Sequence, residues 1–180
     1  MTTFTFHWRH RHHKLGDTIM MLSAMQDYAQ PWPIIDKDIG QYWKPLCHIF
    51  NVKPEIYLTA GPRIKYHANK VFPILKPCFE IPKNNYIVTL KQGAKDWTAV
   101  NEIPKELIAD RKVIELDKLK ISLKSLFHII GGAEEYIGID SGPMWIAESC
   151  RIPKKVLLTP SKCSNQLANH TLLTEVKFIK

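Results

Sequence analysis

The segment from 136 to 153 combines an apolar run, a tight turn and the start of a helix, and this order suits phosphate binding. The turn carries Asp140, Ser141, Gly142 and Pro143. Gly142 lets a ligand approach the backbone closely, and Pro143 fits the first position of a helix, where no backbone donor is lost. Because N–H groups at a helix start lie at the positive end of its dipole, the turn predicts an anion site. The alternative is a capped turn, with Ser141 as the helix cap and Asp140 closing the turn.

A carboxylate near the start of the sequence is a candidate general base. Asp17 follows Gly16 at the beginning of a predicted helix, in which Ile19, Leu22 and Met25 recur at helical spacing. A general base must lie within hydrogen-bond reach of the reacting hydroxyl, and a helix start would hold Asp17 in place for that role. Aspartate is also a common N-cap, so capping is the alternative role for Asp17.

A basic segment precedes this helix. Residues 7–14 read His-Trp-Arg-His-Arg-His-His-Lys and hold four of the eight histidines. No acidic or cysteine partner stands at a ligand spacing, and the interleaved cations would repel a divalent ion, so no metal is expected. The segment is either a loop that contacts phosphate or an acceptor, with Lys14 as a candidate contact, or a solvated loop.

Alternating strands and helices must position these residues. The hydrophobic patterns predict, in chain order, strand 86–90, helix 101–109, strand 113–116, helix 122–130 ended by Gly131 and Gly132, strand 135–139, helix 143–150 and strand 155–159. Such alternation is typical of parallel βαβ units. In the proline-rich first part, the patterns predict strands at 4–6 and 55–59 and a short helix at 42–50.

Composition indicates a soluble globular protein with an anionic partner. Hydrophobic residues make up 45% of the 180 residues, and no run approaches the length of a membrane helix. The four cysteines are widely spaced and read as reduced thiols, and the polar segment 7–14 interrupts any signal peptide, so a cytoplasmic location is expected. The formal charge of +8 suits a nucleotide sugar, a nucleic acid or peripheral contact with an anionic membrane. No RNA-binding signature or helix-turn-helix pattern favours the nucleic acid.

The turn resembles the nucleotide-diphosphate turn of the heptosyltransferase family, glycosyltransferase family 9. The resemblance rests on Gly138, Asp140, Ser141, Gly142, Pro143, Ala147 and Pro153. It implies that the Asp-Ser-Gly segment lies against the diphosphate of the donor. Trp145 stands where the family commonly has histidine, and it would pack in the core or stack on a base or sugar. Glu148 is expected to be a solvated surface residue or a ribose contact.

Two further segments resemble the same family. Leu15, Gly16 and Asp17 match its amino-terminal Leu-Gly-Asp motif, which implies that Asp17 activates the acceptor hydroxyl and that Gly16 is a candidate contact for phosphate or the acceptor. The strand 86–90 and the following 91–97 resemble the strand, turn and Lys-x-Trp that open its carboxy-terminal domain, with Gln92 in place of a proline. This match implies diphosphate contacts from Lys95 and, beside the turn, Lys91.

The resemblance implies an α/β protein with Rossmann-like parallel sheets, in a shortened form of the family's two-half GT-B architecture. Residues 1–82 would form a reduced acceptor-side half, and residues 83–180 the half that binds the nucleotide sugar. The implied activity is inverting, metal-independent transfer of a heptose-like sugar from a nucleotide-diphosphate sugar to a saccharide or lipid-linked acceptor, without a cofactor. Two alternatives remain: a catalytically lapsed nucleotide or sugar-phosphate binder, and a basic nucleic-acid-interacting α/β protein.

Overall fold

The computed structural model describes residues 3–6, 14–27, 41–52, 64–67, 74–93, 99–160 and 175–179. The chain divides into two compact units, Met1–Cys78 and Phe79–Lys180. The predicted strand at 55–59 and most of the basic segment lie outside the described residues.

The first unit contains a two-stranded sheet. Strand β1 (Thr3–Phe6) pairs with β2 (Ile64–His67) in antiparallel register, with Thr3 opposite His67. The strand predicted at 4–6 is confirmed, whereas β2 was not predicted. The parallel sheet expected for this half is wrong for the strands described here, because β2 returns to β1 in the opposite direction.

Two helices complete the described part of this unit. Helix α1 (Leu15–Asp27) buries Ile19 and Leu22, and its Ser23 hydroxyl accepts a hydrogen bond from the Leu75 N–H at 3.0 Å. Helix α2 (Trp43–Phe50) confirms the short helix predicted at 42–50. Its buried face consists of Trp43, Leu46, Ile49 and Phe50.

The second unit is built on a five-stranded parallel sheet, which confirms the predicted α/β class. Its strands are β3 (Ile87–Leu90), β4 (Val113–Glu115), β5 (Glu135–Gly138), β6 (Lys154–Pro160) and β7 (Glu175–Ile179). Every residue of β3 and β5 is buried, as expected for central strands of a parallel sheet. Strand β7 was not predicted from the sequence.

In the described part of this unit, three α-helices follow strands of the sheet: α3 (Lys105–Ile108), α4 (Leu123–Gly132) and α5 (Gly142–Ser149). The helix predicted at 101–109 is a single turn, because Pro104 precedes it and Ala109, with φ of 39°, ends it. Gly131 and Gly132 were predicted to follow α4 and end it. This prediction is also wrong, because both glycines lie in the last turn of the helix. Both allow close packing: a Cβ at Gly131 would overlap the Ile81 side chain, and a Cβ at Gly132 would lie 2.7 Å from the Tyr86 Oη.

The order of the strands across the sheet is β4-β3-β5-β6-β7. The chain passes from β3 to β4 on one side and then returns to place β5 on the other side of β3. We call the edge of the sheet at the carboxyl ends of β3 and β5 the switch point. In open parallel α/β sheets, ligands bind at such a place because the connections on its two sides diverge.

Two further observations concern the thiols and the helices of the described residues. Cys47, Cys78 and Cys150 are free, whereas Cys163 lies outside the described residues. Across the described ranges, no helix has the length and apolar character needed to cross a membrane.

Candidate functional site

The switch point brings two of the predicted segments to the same edge of the sheet. Leu90, the last residue of β3, lies opposite Gly138, the last residue of β5. Lys91 directly follows the first strand, and the turn with Asp140 and Ser141 follows the second. The predicted residues of these two segments therefore share one edge, although they are about fifty positions apart in the sequence.

The turn after β5 leaves backbone donors at the start of α5. Ser141 occupies the N-cap position with an extended backbone, but its side chain makes no capping bond and donates to the Ile139 carbonyl at 3.2 Å. The Met144 N–H donates to the Ser141 carbonyl at 3.1 Å, and Pro143 has no N–H. Within the described part of the chain, the N–H groups of Ser141 and Gly142 have no acceptor. The helix begins at Gly142, so Pro143 is its second residue and not its first as predicted.

The Asp117 carboxylate holds the loop that follows β3 through two hydrogen bonds. Its Oδ2 accepts from the Lys91 N–H and its Oδ1 from the Gln92 N–H, each at 2.9 Å. Hydrogen bonds to a carboxylate are stronger than neutral ones, so this pair holds the backbone of the loop next to the switch point. Sequence reasoning missed Asp117, although a carboxylate just after a parallel strand was a usable signal.

Tyr136 and Gly138 lie on β5 next to the turn. The Tyr136 side chain is fully buried, and no described residue hydrogen-bonds its hydroxyl. A Cβ built at Gly138 would lie 2.9 Å from the Tyr136 Oη and 2.9 Å from the Leu90 carbonyl oxygen. The hydroxyl therefore uses the space that a side chain at position 138 would fill, at the carboxyl end of the strand. The sequence predicted only an apolar strand here.

Electrostatics keep this phenol protonated. Burial raises the pKa of Tyr136 well above its usual value, and the carboxylates of Asp117 and Asp140 raise it further. The Ser141 hydroxyl lies near the Tyr136 Oη, although the two do not meet hydrogen-bond geometry, and as a potential donor it lowers the pKa by less than burial raises it. At neutral pH, Tyr136 is therefore a hydrogen-bond donor close to Ser141.

The candidate residues of the first unit have different surroundings. Asp17 is exposed and is the third residue of α1, so the alternative role as N-cap is wrong, because the helix already begins at Leu15. Gly16 is buried, and Lys14 is half-buried with its carbonyl accepting from both the N–H and the hydroxyl of Thr18.

The remaining predicted residues lie in the second unit. Trp145 is half-buried in α5, and Lys95 lies outside the described residues. Glu148 is neither solvated nor placed for a ribose: it is buried on α5 and pairs with the buried Lys155 of β6 at 3.6 Å. The ion pair joins α5 to β6, and the sequence of α5 alone does not reveal such a contact.

Neither metal ligands among the described residues nor a similar known protein points to a particular ligand for this site. Among the described residues, no three or more histidine, cysteine, aspartate or glutamate side chains are grouped so as to hold a metal ion. The chain has no significant match among family models, curated proteins or solved structures.

Proposed function

We propose that the second unit binds the diphosphate of a nucleotide sugar at the switch point, and that the protein transfers the sugar to a hydroxyl acceptor. The supporting observation is that the Ser141 and Gly142 N–H groups, at the start of the eight-residue helix α5, follow β5 at the place where the strand order reverses. Backbone donors and the positive end of the helix dipole both favour an anion there.

The charges at this edge favour a ligand that carries hydroxyls as well as phosphates. Asp117 and Asp140 place two carboxylates near the switch point, and they would oppose a bare phosphate. Both oxygens of Asp117 already accept backbone hydrogen bonds, so its charge is partly compensated. In the proposed complex, Asp140 accepts from a ribose or sugar hydroxyl while the turn holds the diphosphate.

The proposed reaction gives each group a physical task. The acceptor oxygen attacks the anomeric carbon, its proton passes to Asp17, and the bond to the diphosphate breaks with inversion. The N–H groups of Ser141 and Gly142 stabilise the negative charge that grows on the leaving diphosphate. The family resemblance assigns the same task to Lys95, which lies outside the described residues. Asp17 is exposed, so an acceptor hydroxyl could reach its carboxylate. Its assignment as the base rests on the family resemblance.

A pair of substitutions at one position tests the binding step. Gly142→Pro removes one N–H donor at the first helical position, where proline is tolerated, and the extended Ser141 is compatible with a following proline. Gly142→Ala keeps the N–H and is the matched control. Titration with ADP, UDP and GDP, followed by thermal shift, should show one diphosphate that stabilises the wild type and the alanine variant. The proline variant should bind it about tenfold more weakly, because a hydrogen bond to a charged group is lost.

The transfer step needs its own test. With the nucleotide sugar that corresponds to the selected diphosphate, Asp17→Asn should bind the donor as the wild type does and fail to transfer the sugar. Normal turnover by this variant would remove Asp17 from the mechanism. Stabilisation by duplex DNA and by no nucleoside diphosphate would instead contradict the binding proposal.

One observation favours a second candidate, a nucleotide-sugar or sugar-phosphate binder without transferase activity. The described strands of the first unit form an antiparallel pair, whereas the transferase architecture predicts a parallel acceptor-side sheet. Trp145, in place of the family's histidine, points the same way. Donor binding without hydrolysis or transfer by the wild type would support this second candidate.

A further inference from the structure

A buried hydroxyl without a partner lies next to the proposed diphosphate site. The Tyr136 Oη is inaccessible to solvent and has no hydrogen-bond partner in the described residues. A buried polar group in this state destabilises the protein, and a native chain normally satisfies such a group with protein, water or a ligand.

The geometry directs this hydroxyl toward the turn. Tyr136 and Gly138 project from the same face of β5, because side chains alternate along a strand. The Oη lies beside Gly138, at the carboxyl end of the strand, and from there the chain runs through Ile139 to Ser141. The Ser141 hydroxyl in turn donates to the Ile139 carbonyl, so it is already held at this end of β5.

We infer that Tyr136 is a positioning residue for the proposed site and acts through Ser141. When a diphosphate binds, the Ser141 hydroxyl leaves the Ile139 carbonyl and donates to a phosphate oxygen. Its oxygen then accepts a hydrogen bond from the Tyr136 hydroxyl. This inference rests on the proposed function, since the chain of bonds ends on the bound phosphate.

Ligand binding would in this way satisfy a donor that the free protein leaves unsatisfied. Adjacent hydrogen bonds in a buried network polarise one another, so the tyrosine strengthens the bond from Ser141 to the phosphate without touching the ligand. The phenol remains a donor across the physiological range because burial raises its pKa.

A double-mutant cycle of Tyr136→Phe and Ser141→Ala tests the inference in the full chain. The ligands are ADP, UDP and GDP, and the readouts are the dissociation constant and the melting temperature without ligand. Tyr136→Phe should melt at or above the wild-type temperature, because it removes an unsatisfied buried hydroxyl and keeps the ring. It should also bind the selected diphosphate about fivefold more weakly. In the Ser141→Ala background, the same change should leave binding unaltered.

The outcomes separate this inference from the function on which it rests. If no nucleoside diphosphate stabilises the wild type, both fall. If the wild type responds and Tyr136→Phe binds equally well, the positioning role falls and the proposed function stands. If Tyr136→Phe weakens diphosphate binding equally in the wild type and in the Ser141→Ala background, Tyr136 does not act through Ser141. A lower melting temperature of ligand-free Tyr136→Phe would show that the hydroxyl is already satisfied and would overturn the inference as well.

Discussion

The close approach of β3 and β5 at Gly138 makes Gly138→Ala a quantitative test of the packing below the switch point. The new methyl group would lie 2.9 Å from the Leu90 carbonyl oxygen, 2.9 Å from the Tyr136 Oη and 3.1 Å from the Leu90 Cβ. Overpacking of this kind costs about 1–3 kcal/mol. Removing a glycine from a strand offsets about 0.5–1 kcal/mol of that cost. With values near the middle of both ranges, the net loss in the free energy of unfolding is about 1–2 kcal/mol.

Urea unfolding of the full chain, followed by backbone circular dichroism, measures this loss. In thermal unfolding of the same variants, a loss of this size in a unit of about 100 residues should lower the melting temperature by about 4–15 °C. The matched control is Gly138→Ala combined with Tyr136→Phe, which removes one of the two oxygen contacts. It should recover part of the lost stability, while the contact with Leu90 remains. Wild-type stability of Gly138→Ala, or no recovery in the double variant, would refute the packing described for this end of β5.

Three further predictions concern buried titratable groups of the second unit. Lys155→Met should lower the free energy of unfolding by about 3 kcal/mol in urea unfolding, because Glu148 stays buried without this cation. The double variant with Glu148→Gln should recover most of this lost stability. Burial lowers the pKa of Lys155, and Glu148 offsets this shift only in part. The Lys155 amine therefore binds its proton more tightly in the unfolded chain than in the folded protein. The wild type should therefore gain stability relative to Lys155→Met as pH rises toward about 10.4, and a loss over that range would contradict the shift. Burial also raises the pKa of Cys150 to about 12, so iodoacetamide at pH 8 should modify the exposed Cys78 and spare Cys150. Peptide mass spectrometry would identify the modified cysteine. Modification of Cys150 before Cys78 would contradict the burial of Cys150.

The parallel sheet of the second unit could be predicted because its strands are locally distinctive. The strand predicted at 86–90 is a run of β-branched and apolar residues, and in the structure Ile87–Leu90 is buried throughout. Helix spacing located α4 and α5 to within about two residues at each end. Strand β2 was missed, because Ile64–His67 mixes polar and apolar residues and its partner β1 lies about sixty positions earlier.

The candidate site was predicted in part, for a related reason. The turn at Asp140 and Ser141 could be found because strand, turn and helix are contiguous in the sequence. The loop-fastening role of Asp117 depends on the adjacency of β3 and β4, which sequence spacing does not fix. The unsatisfied hydroxyl of Tyr136 depends on the missing side chain at Gly138, two residues along the same strand.

The central claim is that the turn after β5 binds a nucleoside diphosphate through its backbone. The most direct measurement is an amide NMR titration of the full chain with ADP, UDP and GDP, following the N–H resonances of Ser141 and Gly142. The proposal predicts that one diphosphate shifts both resonances in a saturable manner, together with those of Lys91 and Gln92 across the switch point. Saturable binding that leaves the Ser141 and Gly142 resonances in place would contradict it.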